Sequence, residues 1–246
     1  MSPKYDLDKI KFATDPATFE RAVDLYTSGK VTKFKEKEGV NVYSAVVQGG
    51  QPYHVSVEAR RYGCGHCDCY LGKKSTLCKH IVAVALYAVM DGQPLSDEDK
   101  KSVNNPTSSG HLGDLTKEEL VTIKKAITYG LRYIKPYNGP SRLWFSYQNS
   151  LQEGCGRLAK IVSDLPVNKK TAQILVTLLL RLDEKLTRGG VDDSDGTVGG
   201  FIQQVVEILS EYAELDPSCI ETFKILAGRP TCFGWEEPLV RLVDEG

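Results

Sequence analysis

The chain has 246 residues with 31 Lys/Arg, 32 Asp/Glu and a net charge of −1; 41% of its residues are apolar and 26% charged. That mix excludes a disordered, collagen-like or fibrous chain and suits one large or two modest globular domains. The longest apolar run, Ile81–Met90, is about half of what a bilayer requires, and the opening MSPKYDLDKIKF has no basic segment followed by an apolar core, so a cytoplasmic protein with no membrane contact and no secretory signal is expected.

Asp15 followed by Pro16 marks a helix start, because aspartate caps the first turn and proline tolerates the first helical position. Phe19, Ala22, Val23 and Tyr26 then recur at helical spacing until Gly29. From Val31 the period becomes two, and Lys33, Lys35 and Lys37 are expected on one strand face. Val40–Val47 reads as a second strand with Val40, Val42 and Val46 on one side, and Gln48-Gly49-Gly50-Gln51-Pro52 as a hairpin connection. His54–Arg60 alternates, with Val55, Val57 and Ala59 inward and Ser56, Glu58 and Arg60 outward. The prediction is a three-stranded antiparallel meander that runs into a cysteine cluster.

Beyond the cluster, uniformly apolar Ile81–Met90 predicts a packed helix. Residues 91–113, rich in Ser, Asp, Asn, Gly and Pro, predict a linker. The remainder reads as helical. Thr116 and Glu119 form a capping box ahead of Leu120, Ile123, Ile127, Leu131 and Ile134, and further helical stretches fall near 143–164, 169–187, 198–214, 217–227 and 236–243. Trp144 and Trp235 are assigned to the core, as are Cys155 and Cys219, while His54 and His111 are taken as surface residues. The acidic stretch Val191–Gly196 reads as a turn with Asp195 or Thr197 near the next N-cap. A calcium loop beginning at Asp193 would put Val198 where glycine is needed and Gln204 where glutamate is needed.

Charge is divided unevenly. Residues 1–90 hold 13 Lys/Arg against 9 Asp/Glu, and residues 91–246 hold 18 against 23, so a mildly basic first part precedes an acidic second part. Of seven cysteines, Cys64, Cys67, Cys69 and Cys78 fall within fifteen residues, together with His66 and His80. An odd count in a reducing compartment argues against a disulfide framework and for a metal site. Cys67 and Cys69 put two sulfurs on one side of an extended segment. Cys78 and His80 stand where the apolar helix begins, and there the backbone N–H groups stabilise a thiolate. Tyr70–Leu77 is long enough to fold one pair onto the other. Cys64 and Cys67 also have zinc-knuckle spacing, so a set of Cys64, Cys67, Cys78 and His80 stays open as an alternative.

Cys-x-Cys, eight residues, then Cys-x-His, preceded by strands and followed by an Ile/Val/Ala-rich helix, resembles the SWIM zinc finger. The likeness covers roughly residues 30–90, and the whole chain is similar to bacterial or archaeal SWIM-containing proteins with a helical C-terminal region. The resemblance implies a ββα finger with Cys67, Cys69, Cys78 and His80 holding one structural Zn2+, in a family that binds DNA or proteins. The fold class expected is therefore α+β: a helix and zinc-stabilised meander over residues 1–90, a linker over 91–113, and an all-α domain over 114–246.

Four protein ligands close the shell of a zinc ion and leave no place for an activated water. The motifs of zinc deaminases, metalloproteases, P-loop proteins and serine hydrolases are absent from the sequence. A non-enzymatic module is expected. Lys33, Lys35, Lys37, Arg60, Arg61, Lys73, Lys74 and Lys79, interleaved with Tyr62 and Tyr70, are the candidate nucleic-acid contacts. The helical domain is expected to dock a protein partner, and a scaffold with no nucleic-acid contact is the alternative.

Overall fold

Asp6 and Asp15 each accept a hydrogen bond from the backbone N–H three residues on, and each starts a helix: α1 (Leu7–Phe12) and α2 (Pro16–Thr27). The second was expected from its cap and periodicity; the short α1 was not. The computed structural model describes residues 2–37, 39–102, 105–141 and 144–245, with the backbone alone at Phe145 and Ser146. Residues 103 and 104 of the expected linker, and Arg142 and Leu143 at the edge of the expected 143–164 helix, lie outside the described residues. The chain is mixed α and β and divides into two units, Met1–Ser102 and Val103–Gly246.

In the first unit, β1 (Val31–Lys37), β2 (Val42–Gln48), β3 (Pro52–Glu58) and β4 (His66–Cys67) form one antiparallel sheet in that order. The hairpin closes at the Gln48–Pro52 pair as expected. In and just beyond β3, Val55, Val57 and Ala59 are buried while Ser56, Glu58 and Arg60 face outward. Two expectations fail on the neighbouring strands. The lysines of β1 do not share one regular face. Its pairing with β2 slips between Thr32 and Lys35, and Lys33 takes a left-handed conformation (φ 52°) in the resulting bulge. Lys35 and Lys37, paired to Ser44 and Val42, keep the outer face. On β2 the buried set is Tyr43, Ala45 and Val47; Val42 and Val46 sit half-buried on the other side, and Val40 precedes the strand. Valine on both faces of a strand hides which face is the core.

Helix α3 (Lys79–Met90) lies on α2 and on the sheet, with every residue from His80 to Leu86 buried. The chain then stays attached rather than becoming a linker. Leu95 is buried, the Tyr26 hydroxyl donates to the Gln93 carbonyl, and the Lys11 ammonium donates to the Glu98 carbonyl (2.7 Å) within α4 (Asp97–Lys100). Polar composition alone misread this stretch, because backbone carbonyls and one leucine make the attachment.

The second unit holds α5 (Lys117–Gly130), α6 (Trp144–Ser163), α7 (Lys169–Thr187), α8 (Thr197–Leu215), a 3-10 segment at Pro217–Leu226 and α9 (Glu237–Glu245). Residues ahead of α5 are clipped to it: Ser109 Oγ donates to the Leu165 carbonyl (2.7 Å) and the Val167 N–H to the His111 carbonyl (2.8 Å). Leu151, Leu158, Leu175, Leu179, Leu209, Tyr212 and Phe223 are among its fully buried side chains. Trp235 is core, as expected, and donates to Asp183 (3.0 Å), whereas Trp144 is only half-buried and donates to Asp192 (3.1 Å). The acidic loop is a helix cap: Asp193 accepts from the N–H groups of Val198 (2.7 Å) and Gly199 (2.8 Å) at the start of α8.

Candidate metal centre

Two short elements bring the donors together. β4 pairs Cys67 with Val55, which fixes Cys67 on the buried side of the sheet and leaves His66 exposed. Cys69 follows two residues on. Cys78 is the N-cap of α3, with His80 in its first turn. The three sulfurs and an imidazole nitrogen all lie within 4.8 Å of one another, and all four residues are buried. His80 Nδ1 is 3.7 Å from Cys67 Sγ and 3.9 Å from Cys78 Sγ. None of the cysteines is in a disulfide. The group can hold one metal ion.

Its electrostatics suit anionic sulfur. The Cys69 N–H points at Cys67 Sγ (3.5 Å) and the Gly72 N–H at Cys69 Sγ (3.3 Å). The Cys78 thiol is held well below its ordinary range, first by the hydrogen bond from the Cys67 thiol and then by His80 and the Ile81 N–H at the helix start, all against the effect of burial. Cys67, which donates that bond and is buried, is pushed the other way.

Two glycines and a tyrosine shape the site, and sequence reasoning gave them no role. A Cβ at Gly72 would stand 2.2 Å from the Cys67 carbonyl oxygen, so the ligand loop can cross β4 only with glycine there. The Tyr53 ring stacks on His80 (centroids 4.4 Å apart, 30° between planes), and Gly49 lets the hairpin close over both. Among the described residues the buried His80 Nε2 has no hydrogen-bond partner, so stacking and packing set the ring orientation that turns Nδ1 to the sulfurs. Gly72→Ala is expected to weaken metal affinity by about 10–100-fold, the usual cost of disturbing groups that orient ligands. A chelator competition titration reads it, and an unchanged affinity would show that the loop can relax.

Cys64 is exposed in the 3-10 turn Tyr62–Cys64 and stands outside the group, so the alternative set containing it is not assembled. Among the candidate surface residues, Lys33, Lys35, Lys37, Arg60, Arg61, Tyr70, Lys73 and Lys74 are exposed and Lys79 is half-buried. Tyr62 is not available for stacking: it is buried, edge-on to Tyr5, and hydrogen-bonded to Thr14 (2.9 Å). Lys73, Lys74 and Tyr70 share the ligand loop, with the Lys74 ammonium 4.3 Å from the Tyr70 ring centroid. The β1 lysines are on the sheet edge opposite β4.

Comparisons with family models, with curated proteins and with solved structures give no match. Among the described residues no helix is long and apolar enough to cross a membrane. The reading of function therefore rests on the site.

Proposed function

We propose that the metal is one structural zinc ion and that the first unit is a SWIM-type, non-enzymatic module that binds nucleic acid, DNA foremost, while the helical unit docks a protein. The buried Cys67, Cys69, Cys78 and His80 set carries this reading. A tetrahedral zinc with Zn–S near 2.3 Å and Zn–N near 2.0–2.1 Å has ligand–ligand edges of about 3.5–3.8 Å. The two nitrogen–sulfur separations, 3.7 and 3.9 Å, are within about 0.4 Å of the nitrogen–sulfur edge, so a small inward shift of the donors would complete the shell. Three thiolates and an imidazole are the soft donors zinc prefers, and a full protein shell assigns the ion to holding β4 against α3. Nucleic-acid binding is supported by the ligand loop, where Tyr70 is 71% exposed beside Lys73 and Lys74.

A gel-shift titration of the zinc-loaded protein on single- and double-stranded DNA at two salt concentrations tests it. Retardation that weakens with salt is expected, and replacing Lys73 and Lys74 by Ala should lower the salt slope by about 2, one unit for each phosphate that is no longer neutralised. No retardation at low salt removes the nucleic-acid part and leaves a protein scaffold.

A further inference from the structure

The second unit is acidic in sum, yet one of its faces is not. Helix α5 packs on α6, and α7 packs on α8 and the 3-10 segment. Between α5 and α7 runs a groove of about 450 Å³. Its floor is apolar, formed by Ile127, Ile174 and Leu178 with Leu120 at one side. Its rim carries Lys124, Lys170 and Arg181, with Thr128, Gln173 and Thr177 as neutral hydrogen-bonding groups, and among the described residues no carboxylate lines it. The outer face of α5 and the turn after it continue the patch through Lys125 and Arg132, beside Val121 (51% exposed) and Tyr129 (46% exposed). Among the described residues no carboxylate forms an ion pair with any of these five cations, although Arg181 donates to Thr128 (3.2 Å).

Five cations unneutralised inside an acidic unit, around an apolar trough between two helices, define a complement. We propose that the α5–α7 groove docks an acidic amphipathic helix of a partner protein, which lays an apolar stripe on Ile127, Ile174 and Leu178 and sets carboxylates against Lys124, Lys170 and Arg181. The proposal gives the chemistry of the protein partner in the reading above, and rests on that part alone; it does not depend on zinc or DNA. The apolar floor distinguishes this occupant from a nucleic acid, whose phosphates would want cations without a trough for aliphatic side chains.

The test uses the full chain and a fluorescein-labelled 20-residue helical peptide with Leu at i, i+3, i+4 and i+7 spacing flanked by Glu. A peptide with Lys in place of Glu is the control, and a labelled DNA duplex is a third probe. Fluorescence anisotropy should show the Glu peptide binding at least about tenfold more tightly than the Lys peptide, and reversing Lys124→Glu with Lys170→Glu should weaken it about tenfold more. Both substitutions are at exposed positions, and circular dichroism confirms that the fold is kept. Equal binding of the two peptides, or indifference to the reversals, overturns the proposal. Displacement of the Glu peptide by the duplex, lost in the same variant, also overturns it and assigns the face to nucleic acid. Lys73→Ala with Lys74→Ala should leave peptide binding unchanged, so failure here is distinct from failure of the zinc module to bind DNA.

Discussion

Cys78→Ser is expected to abolish stoichiometric metal binding and to unfold the first unit while the second stays folded. Structural zinc in finger domains supplies about 10–16 kcal/mol of apparent binding free energy at neutral pH, as large as the whole net stability of about 5–15 kcal/mol expected of a domain. Cys78 has the largest effect because it joins two roles. Its sulfur is the donor at the start of α3, and α3 is the helix whose Ile81–Leu86 face closes the sheet. Native mass spectrometry should find one zinc per wild-type chain and none in the variant, and amide exchange should lose protection across the first unit, Met1–Ser102, and not the second. One retained zinc equivalent, or protection surviving in the sheet, would refute the ligand assignment. Chelation of the wild-type protein should reproduce the same pattern.

Arg157→Ala should destabilise the second unit by about 3–5 kcal/mol, the scale for removing one partner of a buried ion pair. Glu153 is fully buried on α6, and Arg157, one turn on, meets it at 3.1 Å with its side chain 10% exposed. The guanidinium also lies over the rings of Tyr133 (4.9 Å) and Tyr129 (5.6 Å), so the loss includes packing as well as charge. Replacing both partners, Glu153→Gln with Arg157→Met, should recover more than half of the loss, since neither member of the pair then leaves its charge behind. Urea unfolding followed by a helix signal measures both. A loss below about 1 kcal/mol for the single variant would mean that the pair acts as a solvated surface pair does.

Much of the architecture was legible because it obeys local rules. The Thr116–Glu119 capping box and the stretch near 169–187 lie where helices form, and β3 alternates as written. The metal donors were legible for the same reason: two pairs at short spacing, one on extended chain and one at a helix start. The misread features share one property. The bulge at Lys33, the buried face of β2, the half-exposed Trp144, the buried Tyr62 and the attachment of residues 91–102 all depend on which surface another segment covers. A tyrosine beside two arginines reads as a stacking platform until Thr14 and Tyr5 are seen to enclose it.

Residue type and spacing by themselves determined that this protein has a metal-ready sulfur cluster ahead of an apolar helix, and a helical second half. Both follow from interactions between residues a few positions apart, which any chain with those residues repeats. Only the tertiary structure decided that Cys64 stands apart while Cys69 joins, that Gly72 must lack a side chain because the loop crosses β4, and that five cations meet on α5, the turn after it and α7 within an acidic half. Those outcomes depend on distances between segments far apart in the chain, and such distances are set by how the whole core packs.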